Sequence, residues 1–258
     1  MVYAIDTAMS NDDENTLPPG VAAAWGLRAP ATKGPKPGLS LDRIVAAAIA
    51  VGDADGLNAV SMNRVAQELG SSAMSLYRYV GSKDELLTLM VDGALGTIPA
   101  PPPDEDWRAG LARWARASAG AMRAHPWALQ VPITGPPLGP NSVAWFENAL
   151  HAMRNTNLTE AEKASVVVML SGYARNQVTT MAEVQAHFLD AAATPHAAMR
   201  SYADTLRRLT DPQRFPALHA LLAAGVFDQA DPPEDEFEFG LERILDGIEA
   251  LVRARTSG

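Results

Sequence analysis

The sequence contains no cysteine. That absence removes disulfides, thiolate metal sites and cysteine nucleophiles, and it is compatible with a reducing compartment. No apolar run approaches the roughly 18 to 20 residues that a membrane helix needs, and Met1 to Gly38 lacks the charged-then-apolar order of a signal peptide. A soluble, cytoplasmic protein with no membrane attachment is therefore expected. The marks of catalysis are also missing. None of His125, His151, His187, His196 and His219 has a partner at metal-ligand spacing, and there is neither a nucleophile elbow nor a glycine-rich phosphate loop. No enzyme activity, no metal site and no cofactor are expected.

Alternating strand patterns are absent as well, and what remains is helical periodicity almost throughout, so the expected fold class is all-α. The 258 residues suffice for a small head and one larger domain. Ser40 is a good N-cap for a helix to about Asp55, whose Leu41, Ile44, Val45, Ala48 and Ile49 form one apolar stripe; Gly56 stops it. IPAPPPDED, Ile98 to Asp106, is a boundary, because its prolines halt one helix and its acids begin another. The expected organisation is a disordered leader and basic arm over 1–38, a three-helix head over 39–96, a Pro-rich hinge over 97–103 and a helical body over 104–258.

Ser61 to Leu87, SMNRVAQELGSSAMSLYRYVGSKDELL, reads as two short helices joined by a tight turn, the shape of a helix-turn-helix. Ala66 is small where the helices nearly touch, Gly70 is free to take a left-handed turn, and Leu76 anchors the second helix. Leu76 and Val80 point inward at an i, i+4 interval. Ser72, Ala73, Met74, Ser75, Tyr77, Arg78 and Tyr79 are left to face outward or sideways. Hydroxyls and a guanidinium suit phosphate oxygens, and small residues near a helix start let backbone approach base edges. Tyr77, beside Leu76, is the outward residue best placed to bury its ring and keep its hydroxyl wet. Met74 has the alternative of covering apolar surface. Ser82 and Glu85 form a capping box for the next helix and place Lys83 in its first turn.

LYRYVGSKDELL resembles the recognition helix and the capped, Lys-containing helix of the tetracycline-repressor (TetR) family, and the likeness extends over about residues 39 to 96. By that resemblance Ala73 and Met74 lie near base edges, while Ser75, Tyr77, Tyr79 and Lys83 hold the backbone of double-stranded DNA. The net charge of −9 runs against a nucleic-acid partner, but its distribution does not: Thr16 to Leu41 carries no acid, whereas Asp228 to Glu249 carries nine acids against Arg243 alone. Arg28, Lys33 and Lys36 of the arm either follow the DNA backbone or belong to a solvated tail.

In the body, Trp107, Leu111, Trp114 and Met122 share a helix face that His125-Pro126 ends, and Ser142 caps a helix bearing Trp145, Phe146, Leu150 and Met153. Thr159 and Glu162 make a second capping box, opening a helix to about Leu189. The last helix, about Asp235 to Arg255, carries a broad stripe from Phe237 to Val252. The resemblance implies that these two long helices pair with their copies in a homodimer presenting two heads to a palindromic operator; the alternative is that one chain satisfies both stripes. Tryptophans and methionines at helical spacing are ordinarily core. They also suit a cavity for an apolar effector, with Trp114, Trp127, Phe146, Tyr173, Asn176 and Thr180 as candidates. Where the tetracycline repressor has a metal-binding histidine, this chain has Pro132 and Ile133, which bind no metal. The expected function is a repressor released by a small-molecule effector. The alternatives are an effector-independent architectural DNA binder and a ligand-sequestering protein whose head has lost DNA binding.

Overall fold

The computed structural model describes residues 17–27, 39–133, 135–190, 194–228 and 233–256. Among these residues every regular element is helical. The α-helices are α1 (Pro19–Ala24), α2 (Leu41–Asp55), α3 (Met62–Glu68), α4 (Ala73–Leu76), α5 (Lys83–Leu95), α6 (Trp107–Ala124), α7 (Pro140–Ala152), α8 (Glu160–Asp190), α9 (Pro195–Leu209), α10 (Pro216–Ala223) and α11 (Pro233–Thr256). Short 3-10 turns occupy Leu57–Ala59, Pro126–Gln130 and Val226–Asp228. The chain forms two compact units. One comprises the described residues to Pro99 together with His125–Glu147; the other comprises Ala100–Ala124 and the described residues from Asn148 onward.

Local chemistry explains the starts and stops in the first unit. Ser40 accepts the Arg43 N–H at 3.2 Å and opens α2, and Gly56, at φ 79°, ends it. Ser61 likewise accepts from the Arg64 N–H and opens α3. These helices and α5 enclose a core in which Ile44, Ala48, Val60, Val65, Leu76, Val80, Leu86 and Met90 are fully or almost fully buried.

Three features depart from the sequence reading. The stretch expected to be a disordered arm contains α1, whose Gly20 and Val21 are buried and which packs on α5 and α2. The leader before Leu17 and Arg28, Lys33 and Lys36 lie outside the described residues. The first unit also draws in chain beyond the Pro-rich hinge. The turn Pro126–Gln130 inserts Trp127 into the head core, where its indole N–H donates to Asp53 at 2.6 Å. A Cβ on Gly52 would lie 3.1 Å from that ring, so α2 has room for the tryptophan because position 52 is glycine.

The third departure is at α7, which begins at Pro140, with Ser142 inside its first turn and not at its cap. The buried Asp92 of α5 takes the capping role instead. Its carboxylate accepts from the Ser142 N–H and hydroxyl, both at 2.7 Å, and from the Asn141 N–H at 3.3 Å. A carboxylate in a helix's orphan-donor position is stabilising, and here it comes from a different helix. Trp145 adds an indole bond to the Gly96 carbonyl at 2.9 Å, so the C-terminal end of α5 is held twice.

In the second unit α6, α8 and α11 pack together around Leu111, Trp114, Ala115, Leu170, Ala174, Leu241 and Leu245. The Thr159–Glu162 capping box forms in both directions, with the Thr159 N–H to Glu162 at 2.8 Å and the Glu162 N–H to Thr159 Oγ1 at 3.3 Å. The helix that follows has 31 residues, or roughly 45 Å at 1.5 Å per residue. The acids of α11 have specific partners. Arg108 reaches Glu242, Asp246 and Glu249, and Arg116 reaches Glu238, which ties α6 to α11. Those guanidiniums hold the Asp246 and Glu238 carboxyls below the usual carboxylate range.

Glu162 also accepts from Arg255, and this contact, with the Thr159 bonds, lowers its pKa from 4.5 to about 2. A depressed carboxylate pKa contributes stability above pH 4.5 that disappears as the pH falls toward 2. Glu162→Gln is therefore expected to unfold at a lower temperature than wild type at pH 6, with the difference narrowing steadily as the pH falls from 4.5 to 3 and closing only near 2. A gap that stays constant across thermal melts from pH 6 to 3 would contradict this role.

Candidate nucleic-acid interface

The helix-turn-helix is built around a short second helix. After α3, Gly70 adopts φ +59°, and the Ser71 N–H reaches back to the Ala66 carbonyl at 2.8 Å, closing the helix end. Ser72 then caps α4 by accepting the Ser75 N–H at 3.3 Å, and its hydroxyl lies 2.9 Å from that of Ser75. Only Ala73–Leu76 is α-helical; beyond it, the Tyr79 and Val80 N–H groups both return to the Leu76 carbonyl. One helical turn does not stabilise itself in water. Leu76 and Val80, both 0% exposed, hold it, each burial contributing about 1.5 to 3 kcal/mol.

This anchoring decides which side chains remain outside. Met74 is 76% exposed and Tyr77 46% exposed, and Ser72, Arg78 and Lys83 are exposed too. Ala73 and Ser75 are half-buried, the former against the head core. Among the described residues neither Arg78 nor Lys83 has an acidic partner, whereas Arg64 on α3 is bound to both Asp55 and Glu68. The two tyrosines exchange the places that the sequence suggests. Tyr77, expected to be the more packed, stands in solvent. Tyr79 packs on the head core and donates its hydroxyl to the Leu39 carbonyl at 3.0 Å. The cause is the early end of α4, which turns residue 79 back toward the start of α2.

The Ser82–Glu85 capping box forms in one direction. Ser82 accepts the Glu85 N–H at 3.1 Å, but the Glu85 carboxylate turns away and accepts from the Gly81 and Gly20 N–H groups. Gly20 lies in a segment whose helix carries no capping signal, so no sequence pattern pointed to that bond. Asp92 does carry a signal, as an acid on the same side of α5 as the buried Leu86 and Leu89.

The six residues proposed for an effector pocket divide between the units. Trp127 and Phe146 belong to the first, and Trp127 is committed to the core of the head. Trp114, Tyr173, Asn176 and Thr180 belong to the second. There Trp114 is buried, Asn176 and Thr180 are exposed one turn apart on α8, and Tyr173 donates to the Phe237 carbonyl at 2.8 Å. Burial raises the Tyr173 phenol above its ordinary pKa. Among the described residues no cluster of three or more His, Cys, Asp or Glu side chains could hold a metal ion, and no helix is long and apolar enough to cross a membrane.

Residues 44–90 match the model for bacterial regulatory proteins of the tetR family, and residues 99–252 match the tetracycline repressor-like C-terminal domain. The HTH-type transcriptional repressor DrrR1 of Streptomyces coeruleorubidus is 38% identical over 252 residues, covering 97% of this chain and 90% of that protein. Among solved structures, apo ActR from Streptomyces coelicolor is 30% identical with a TM-score of 0.69, over 85% of this chain and 99% of that one. ActR in complex with actinorhodin is 31% identical, also at 0.69, over 83% and 97%.

The different surroundings of the two tyrosines give a direct test. Tyr79→Phe should lower the unfolding free energy by about 0.5 to 1.5 kcal/mol through loss of its bond to Leu39, and Tyr77→Phe should leave it unchanged. Equal effects in denaturant titrations would show that the two hydroxyls are not distinguished as described.

Proposed function

The chain belongs to the tetR family of bacterial regulatory proteins, and on that premise we propose that it is a transcriptional repressor. In this reading it binds a palindromic operator as a homodimer and leaves it when a small organic molecule occupies the second unit. The observation that carries the DNA-binding reading is the exposed set Met74, Tyr77, Arg78 and Lys83, mounted outside a turn whose inner residues are wholly buried and whose two cations have no acidic partner among the described residues. Met74 and Ala73 face base edges; Tyr77, Ser75, Ser72, Arg78 and Lys83 hold phosphates, Lys83 from the first turn of α5, where the helix dipole also favours an anion. Tyr79, its hydroxyl committed to the Leu39 carbonyl, contributes by fixing the chain just before α2.

A second copy of the chain is the proposed partner of the second unit. Met169, Ile244, Gly247 and Leu251, over the buried Val166 and Ile248, line an open apolar groove between α8 and α11, and Val168 on α8 is 70% exposed. Two long helices with an uncovered apolar seam suit a four-helix interface between copies. A dimer places two recognition turns on one face of DNA when they stand about one helical turn, roughly 34 to 36 Å, apart. An effector acts by binding better to an arrangement with another spacing. ActR, solved with actinorhodin and with (S)-DNPA, supports a small organic effector, for which Trp114, Tyr173, Asn176 and Thr180 are the residues to test.

The reading is tested by selecting duplexes from a random pool with the purified protein and measuring affinity against salt. Lys83→Ala should weaken binding to every duplex and reduce the slope of log affinity against log salt by about one. Tyr77→Ala should weaken it by about tenfold, or 1.4 kcal/mol. Failure to enrich a two-fold symmetric site, or unchanged affinity in both variants, would refute the proposal.

A further inference from the structure

Helix α1 lies before the residues matched by the tetR model, which begin at Ile44, yet it is bonded to the part of the head proposed to meet DNA. The Glu85 carboxylate, on a residue 9% exposed, joins two distant backbone groups: one oxygen accepts from Gly20 in α1 and the other from Gly81, the residue between the recognition turn and α5. The fit allows no extra atoms. A Cβ on Gly20 would lie 2.7 Å from Leu89 Cδ1 and 3.0 Å from a Glu85 oxygen, and one on Gly81 would lie 3.0 Å from the other oxygen. Val21 is 3% exposed, and at the far end of the segment the Trp25 indole donates to the Leu138 carbonyl at 2.7 Å. A helix of six residues is unstable alone. Its form depends on docking, and a nearly buried carboxylate in turn depends on its donors.

We propose that α1 is a fourth helix of the DNA-binding head, a strap that acts through Glu85 as a positioning residue. It holds Gly81, Ser82 and Lys83, the phosphate-facing entrance to α5, in the pose that DNA requires. Gly20 donates one of the N–H groups that a helix's first turn leaves without an internal partner, and Glu85 converts that donor into a tie across the entrance of α5. This inference rests on the proposed DNA-binding function.

Electrostatics makes the test sharp, because losing the strap acts in the opposite sense to losing the acidic residues that precede it in the sequence. Residues 1–27 contain Asp6, Asp12, Asp13 and Glu14 and neither lysine nor arginine. Removing them takes negative charge away from a DNA binder, which by charge alone tightens binding. The strap predicts the reverse. Affinity for a duplex selected by the full chain should be measured for that chain, for a deletion of residues 1–27, for Glu85→Gln, and for the two changes combined, with the active fraction of each protein titrated stoichiometrically.

The deletion and Glu85→Gln should each weaken binding about tenfold at an unchanged active fraction and an unchanged salt slope. Combined, they should weaken it little further, since both break one tie. Tighter or unchanged binding by the deletion, or additive losses, would overturn the proposal. If the deletion does not fold, Gly20→Ala decides: weaker binding with faster amide exchange over Gly81–Leu86 supports the strap, and unchanged binding refutes it. Failure of the full chain itself to bind DNA would instead refute the function on which the inference rests.

Discussion

The burial of Leu76 is the constraint on which the exposed face of the helix-turn-helix depends. A second helix of one turn has too few internal hydrogen bonds to persist, so its orientation comes from the side chains it sends inward and from the residues that begin and end it. Leu76 and Val80 supply the inward contacts, Ser72 the cap, and Gly70 a left-handed conformation that a side chain would strain. Once these are satisfied, Met74, Tyr77 and Arg78 have no inward place left. Their exposure follows from the core.

The head is assembled from pieces far apart in sequence, and α5 gathers most of them. At its start Glu85 joins Gly20 to Gly81; near its end Asp92 caps α7 and the Gly96 carbonyl receives Trp145. Trp127 enters the same core beside α2, with Asp53 satisfying both its indole and the His125 ring. Each tie uses a carboxylate or carbonyl whose loss would leave a polar group unsatisfied in a largely buried place. Such ties hold both ends of α5 against sliding, because breaking any one of them strands a polar group.

Much of this was legible in the sequence where the signal is local. The caps at Ser40 and Thr159, the stop at Gly56 and the turn at Gly70 follow from side-chain chemistry within four residues, and all are present. The apolar stripe of α11 was readable from its spacing, and Phe237, Leu241, Leu245 and Ile248 are buried as that stripe requires. Contacts across long separations were not legible. Glu85 looked like half of an ordinary capping box because its alternative donor lies 65 residues away. Ser142 looked like a cap because an acid 50 residues earlier takes that role. The exchange between Tyr77 and Tyr79 turned on where α4 stops, which a tertiary contact to Leu39 settles and periodicity does not. Trp127 shares its composition signal with the other tryptophans, and only the space above Gly52 distinguishes it.

Fluorine NMR of protein labelled with 3-fluorotyrosine reads the outer face of the turn in a complex, since Tyr77, Tyr79, Tyr173 and Tyr202 each contribute a resonance. On titration with a duplex selected by the protein, the Tyr77 resonance should move strongly, and those of Tyr79, Tyr173 and Tyr202 should move far less. A stationary Tyr77 signal on a saturated complex would mean that the Leu76-anchored turn does not present its outer face to DNA.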